Sequence, residues 1–246
     1  MLKKVFLLFM VFCCVASTAM AKKRVIVFAV DATWPPMEFV NAKKQIVGFS
    51  IDYMTAAGRL AGFIPVFKNV AWDGIFAGLA GGNYDAICSS VSITEERKKT
   101  MDFSIPYYKV RQALVVPVNS KAKTLKDLIG KKVGAQIGTT GYFAIQRVKG
   151  VIPKSYDEIG LAMQDLINGN LAGVVCDDPV AANYSRQKKG FKEKLKIASI
   201  IETGKAEYYG IAVKKGNKAV LDLINKGIRL VKEKGIDKQL IKKWIK

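Results

Sequence analysis

The sequence predicts an α/β fold in two lobes, and three observations carry that prediction. Apolar strands alternate with helical segments from Arg24 to Cys88, a second alternation spans Ala113 to Cys176, and one more strand and helix follow Tyr208. Such alternation builds mostly parallel sheets flanked by helices. No internal repeat, low-complexity tract or flexible linker separates the sets, so two lobes joined by short strand crossings fit better than beads on a string.

The elements follow in order. Arg24–Val30 is an apolar-rich strand, and GFSIDYMTAAGRLA (Gly48–Ala61) has the helical period with Ile51, Met54 and Leu60 at core positions. Ile64–Lys68 is a strand, Asp73–Ala80 a helix and Tyr84–Cys88 a buried strand. The second set has strands at Ala113–Pro117, Val133–Gln136 and Gly173–Cys176, with helices at Thr140–Val148 and Asp157–Asn168. Tyr208–Val213 reads as a strand and Ala219–Lys234 as a closing helix.

Residues 1–21 read as a secretory signal peptide. Lys3 and Lys4 precede an apolar run from Val5 to Val15, and Ala19-Met20-Ala21 offers a cleavage site before Lys22. The run is too short to span a bilayer, and bulky Phe12 before Cys13 suits a lipoprotein anchor badly. Cleavage leaves 225 of the 246 residues, enough for two modest lobes. Of the cysteines, Cys88 and Cys176 remain. Each ends a buried strand in a different lobe, where a bridge would lock the lobes together, so two buried thiols are expected. With no His and no Cys-x-x-Cys, a zinc site of usual composition is not expected. Losing Lys3 and Lys4 lowers the formal charge from +20 to +18. The remaining lysines are scattered over helix faces and the C-terminus. They form no basic stripe with interleaved aromatics, which argues for solubility or loose attraction to anionic envelope surfaces rather than nucleic acid.

The stretch YDAICSSVSITEERKKTMDFSIPYY (84–108) says most about function. Ser89, Ser90, Ser92 and Thr94 follow the buried strand, and Thr94 caps a first helical turn carrying Glu95, Glu96 and Arg97. The strand end delivers hydroxyls and amides to one spot, at which the helix start aims a guanidinium. That suits a carboxylate, which Arg grips through both oxygens. An ordinary loop with a surface Arg is the plainer alternative.

This stretch closely resembles the signature of periplasmic amino-acid-binding proteins, the solute receptors of polar amino-acid ABC importers. The matching positions are Ser89, Ser90, Ser92, Thr94, Arg97, the acidic-Phe-Ser step at Asp102–Ser104, and Tyr107-Tyr108. The likeness runs from about Arg24 to the C-terminus and includes GFSIDYM from Gly48 and KKW from Lys242. It implies the type II periplasmic-binding-protein fold. Lobe 1 would comprise 22–108 and 207–246, lobe 2 would comprise 109–206, and the hinge crossings fall near Tyr107–Arg111 and Lys205–Tyr209. Ligands of open α/β sheets sit beyond the strands' carboxyl ends, and two such edges across a hinge make a cleft that closes.

The residues at those edges form the expected ligand site. Asp31 and Trp34 follow the first strand in DATWPPMEF, and Trp72 follows the strand ending near Lys68. The resemblance makes Trp34 and Trp72 a sandwich for the ligand's side chain; two indoles suit an aliphatic stem and can face a cation. Trp34 as a plain core aromatic is the alternative. GAQIGTTGY (134–142) is a strand, a Gly-rich turn and a helix start, but no Gly-Lys-Ser/Thr follows to make it a phosphate loop. The resemblance instead makes it a second carboxylate clamp through Thr140, with Gln136 on the wall. It also assigns Asp177, in VVCDDPVAA, to the α-ammonium; Asp177 could otherwise cap the next helix, although Asp178 is as well placed to do so. Arg97, Ser92 and amides near Ser90 and Thr140 would take the α-carboxylate.

Ser-Ser-x-Ser at Ser89–Ser92 resembles the lysine/arginine/ornithine and histidine receptors, and Asp31 beside two indoles suits a distal cation. Cys176 departs from the polar residue often found there, and Gln136 could bond an amide, so glutamine stays open. The resemblance further implies a monomer in the periplasm, an ABC permease at the inner membrane as partner, and no cofactor, metal or catalytic residue. Two other classes stay open. One is an enzyme like the cyclohexadienyl dehydratases, with Asp31, Asp177 or Glu38 as acid or base; the other is a ligand-sensing module.

Overall fold

The computed structural model describes residues 23–245, so the expected signal peptide lies outside the described residues. The first strand, β1 (Arg24–Val30), leads into a small antiparallel sheet of β2 (Thr33–Trp34), β3 (Glu38–Val40) and β4 (Ile46–Val47). Helix α1 (Phe49–Ala61), β5 (Phe63–Asn69), α2 (Ile75–Gly81), β6 (Ala86–Ile87), α3 (Glu95–Thr100) and β7 (Met101–Phe103) follow. Then come β8 (Tyr108–Val110), β9 (Gln112–Pro117), β10 (Lys132–Gln136), α4 (Thr140–Gln146), β11 (Ile152–Tyr156) and α5 (Ile159–Ile167). The chain continues through β12 (Gly173–Asp177), α6 (Asp178–Ala182), β13 (Leu195–Ile201), β14 (Glu207–Tyr209) and β15 (Ala212–Lys214) to α7 (Lys218–Glu233) and α8 (Ile236–Trp244).

Two five-stranded sheets organise these elements. One has the order β5-β1-β6-β15-β7, the other β11-β10-β12-β9-β13. In each, four strands point one way and one is reversed: β15 in the first sheet and β9 in the second. Both reversed strands are the ones that come straight from the connecting ribbon, where β8 and β14 pair antiparallel with Tyr209 opposite Tyr108. A strand entering from the cleft side must run away from it, against strands whose carboxyl ends face it. The expected strand at Tyr208–Val213 is therefore two strands, one in the ribbon and one in the first sheet. Buried Tyr107 and Tyr209 pack at the ribbon with ring centroids 6.1 Å apart, and Tyr108 stacks on Tyr209 at 5.8 Å.

Two close approaches fix the first sheet's surroundings. Gly48 has φ of 136°, and a Cβ there would stand 2.3 Å from the Met37 carbonyl oxygen. Only glycine lets the start of α1 press on the loop after β2, where the amides of Phe49 and Ser50 donate to the carbonyls of Pro36 and Met37 at 3.0 and 2.9 Å. That anchors the loop carrying Trp34. Helix α7 buries Val220, Ile224, Gly227, Ile228 and Val231, a stripe at helical spacing, and Gly227 lies directly against Ala57 of α1. Cys88 and Cys176 are buried and unbridged. Among the described residues, no helix is long and apolar enough to cross a membrane.

Candidate functional site

The ends of β1, β5, β6, β10 and β12 and the segments that leave them line one narrow cavity between the two sheets. All ten residues expected at the ligand meet there: Asp31, Trp34, Trp72, Ser89, Ser90, Ser92, Arg97, Gln136, Thr140 and Asp177, with Thr139 beside them.

Arg97 is placed by local chemistry. The Thr94 side chain caps α3 by accepting the Arg97 amide at 3.2 Å, which holds the first turn. The guanidinium donates to the Ser92 carbonyl at 2.9 Å and to the Gly138 carbonyl at 3.1 Å. It lies over the rings of Trp72 and Phe76, at 5.6 and 5.1 Å from their centroids. Burial lowers its pKa to about 10, against the pull of Glu207 and Asp177, and leaves it cationic at neutral pH.

The serines divide their work. Ser89 Oγ accepts the Asp31 amide at 2.9 Å and so joins the ends of β1 and β6. Ser90 has φ of 48°, an uncommon conformation for a side-chain-bearing residue, and its buried Oγ has no hydrogen-bond partner among the described residues. Ser92 Oγ donates to Glu207 at 2.5 Å.

On the opposite side, Thr139 caps α4 by accepting the Tyr142 amide at 3.2 Å, leaving the Thr140 hydroxyl free to donate to Glu207 at 2.5 Å. Gln136 Nε2 donates to Asp31 at 2.8 Å and to the Asp157 carbonyl at 2.7 Å. Asp177 stands at the start of α6 but makes no capping bond. Its carboxylate faces the cavity and accepts from Gln112 Nε2 at 2.6 Å, Trp34 Nε1 at 3.2 Å and the Tyr209 hydroxyl. Asp178 does not cap either: it pairs with Arg111 at 3.0 Å, outside the cavity. Burial, and then the Glu207 charge, push the Asp177 carboxyl up to about 7 despite its three hydrogen-bond donors. Burial also raises Asp31, against bonds from Thr33 and Gln136.

Direct bonds cross the gap: Trp34 to Asp177, Gln136 to Asp31, Arg97 to the Gly138 carbonyl, Trp72 Nε1 to the Ile137 carbonyl at 2.8 Å, and Thr140 to Glu207. The two sides are closed on one another. Residues that the motifs did not single out complete the network, namely Gln112, Tyr209 and Glu207. Glu38, a candidate acid or base, is wholly buried behind the cavity rather than lining it. Desolvation raises its carboxyl well above the usual range.

A half-buried Arg, two hydroxyl donors and two carboxylates beside two indoles form a site of mixed charge suited to a zwitterion. Comparison with known proteins gives the family. Residues 26–246 match the family described as bacterial extracellular solute-binding proteins, family 3. The chain is 35% identical over 224 residues to the ABC transporter arginine-binding protein 1 of Escherichia coli K12, covering 88% of this chain and 89% of that one. An ancestral arginine-binding protein bound to arginine superposes with a TM-score of 0.84 at 37% identity, covering 91% of this chain and 99% of that chain. One bound to glutamine gives 0.83 at 38%, covering 91% and 98%. The chain belongs to the bacterial extracellular solute-binding proteins, family 3.

Proposed function

We propose that this protein is a periplasmic, monomeric receptor that closes on a cationic L-amino acid (arginine, lysine, ornithine or histidine) and delivers it to an ABC permease at the inner membrane. The lobes are taken as 22–108 with 207–246, and 109–206. One observation carries the reading: the half-buried Arg97 and the carboxylates of Asp31 and Asp177 line one narrow cavity with two tryptophans. In this reading Arg97, Ser92, Thr140 and the backbone at Ser90 hold the α-carboxylate, and Asp177 holds the α-ammonium. Trp34 and Trp72 flank the stem, and Asp31 meets the distal cation. The chemistry is binding rather than catalysis, with no cofactor, metal or nucleic acid involved.

Arginine offers two cations and one anion, which complements a cavity holding more carboxylates than guanidinium groups. Glutamine is the second reading, favoured by Gln136: its amide already sits on Asp31 at 2.8 Å, and a ligand carboxamide could make the same bond.

Thermal unfolding of refolded, ligand-free protein tests both readings, using a panel of amino acids with ornithine, prephenate and arogenate. A ligand at about 100–1,000 times its Kd adds roughly 3–4 kcal/mol, a shift of several degrees. A shift confined to the cationic amino acids is expected, and Asp31→Asn should weaken those far more than neutral ones. A glutamine-only shift would move the specificity to the second reading, and prephenate turnover would replace receptor with enzyme.

A further inference from the structure

We propose that Glu207 occupies the seat of the ligand's carboxylate in the closed, unliganded protein and sets affinity by competing with every amino acid that enters. The inference rests on the receptor reading above. Glu207 opens β14 in the connecting ribbon, so it belongs to neither sheet, yet its carboxylate reaches the heart of the cleft. Its Oε1 receives the Ser92 hydroxyl from one side and the Thr140 hydroxyl from the other, each at 2.5 Å. Gln112 Nε2 stands 3.3 Å from both oxygens. Those two hydroxyls are, with Arg97, the side-chain donors assigned to the ligand's carboxylate, and each hydroxyl has a single proton. A hydroxyl that donates to Glu207 has nothing left for a second anion, and two carboxylates at one spot repel.

Backbone bonds on both sides of the segment make this placement more than one side-chain rotamer. The Ile93 amide donates to the Tyr208 carbonyl at 2.8 Å, and the Gly210 amide donates to the Val91 carbonyl at 3.0 Å. These hold β14 beside the serine loop, so Glu207 is always within reach of Ser92. The Thr140 bond, by contrast, crosses the gap and exists only on closure. Glu207 therefore does for the empty protein what an amino acid does for the filled one: it links the two sides through an anion. A place for the expelled carboxylate is also present. Glu207 borders a surface pocket that contains Lys109, Arg111 and Lys205.

Arginine titrated by calorimetry into refolded wild type, Glu207→Gln and Glu207→Ala tests the competition, alongside small-angle scattering of each ligand-free protein. Removing the competitor should tighten binding by about tenfold or more in Glu207→Ala, the scale of one charge-assisted bond. Glu207→Gln, which keeps an acceptor without the charge, should fall between. The ligand-free alanine variant should also scatter as a more open particle. Weaker or unchanged arginine binding in Glu207→Ala would overturn the proposal; weakening would make Glu207 a group that holds the ligand. Should no amino acid bind wild type or variant, the receptor reading fails separately. The scattering then decides for Glu207: opening in the variant upholds the bridging carboxylate, and an unchanged particle overturns it.

Discussion

The two walls of the cleft hold their polar groups differently. The wall made from residues 31–97 is largely satisfied within itself. The Asp31 amide is held by Ser89 at 2.9 Å, the Asp31 carboxylate by Thr33 at 2.8 Å, and Arg97 by Thr94 and the Ser92 carbonyl at 3.2 and 2.9 Å. The opposite wall keeps bonds of its own, Gln136 to the Asp157 carbonyl and Gln112 to Asp177, but adds more that reach outward: Gln136 to Asp31, Thr140 to Glu207, and Asp177 to Trp34 and Tyr209. Groups satisfied without the facing wall keep their geometry when the lobes part; groups satisfied across the gap lose it. The first wall is a preformed seat and the second a latch. A preformed seat spares the ligand most of the ordering cost at encounter, whereas latch bonds act on the stability of the closed state.

The comparison meets its hardest test at Arg97, where the largest effect is expected. Arg97→Ala removes the only cation that lines the seat among the described residues, while leaving the buried Asp177 carboxylate across from it. Affinity for every amino acid in the panel should fall at least about a hundredfold, in the range for deleting one partner of a buried charged contact. Calorimetry checks this. Retained affinity within a few-fold would mean that the seat lies elsewhere.

Asp177 gives the next largest effect and a signature in pH. Its carboxyl is raised to about 7 in the unliganded cavity by desolvation and by Glu207, so at lower pH it is protonated and cannot serve an α-ammonium. The folded value lies above the unfolded one. This group's contribution to ligand-free stability is therefore present below the unfolded value and is lost as pH rises through about 7. Binding has the opposite slope, because the ligand needs the ionised form. Affinity should climb from pH 5.5 toward 8, by up to about tenfold per unit where one proton is released. Asp177→Asn should weaken binding roughly tenfold at pH 8 and flatten that climb. A pH profile as steep as that of wild type would assign the slope to another group.

How much of this was legible from the sequence divides along the same physical line. Long periodic elements could be read directly: β1, α1 and α7 each present an apolar pattern that matches its burial. The small sheet β2–β4 could not, since strands of two or three residues have no period. Strand β11 is an edge strand, largely exposed and carrying Pro153, which is a pattern that mimics a loop. Helix α8 has no fully buried residue to mark its face. In the site, residues at strand ends and helix starts were legible because short motifs place them. Gln112 reaches the cavity only because β9 pairs with β12 so that Gln112 lies opposite Asp177. Tyr209 and Glu207 reach it only because the chain returns through the ribbon. Register and return are properties of the assembled sheets, and no local spacing announces them.

The smallest expected effect sharpens the comparison most, because it separates seat from latch within one side chain. Trp72 stands on the seat wall and presents a ring face beneath Arg97, yet its indole Nε1 donates across the gap to the Ile137 carbonyl at 2.8 Å. Trp72→Phe keeps an aromatic face and removes the donor. Losing one neutral hydrogen bond costs about 1 kcal/mol, or roughly fivefold in affinity. A seat defect would slow capture, whereas a latch defect would speed release. Stopped-flow fluorescence of ligand binding should therefore show a faster dissociation rate with an association rate close to that of wild type. A slower association rate with unchanged release would place Trp72 in the seat by its ring alone and make the cross-gap bond incidental to closure.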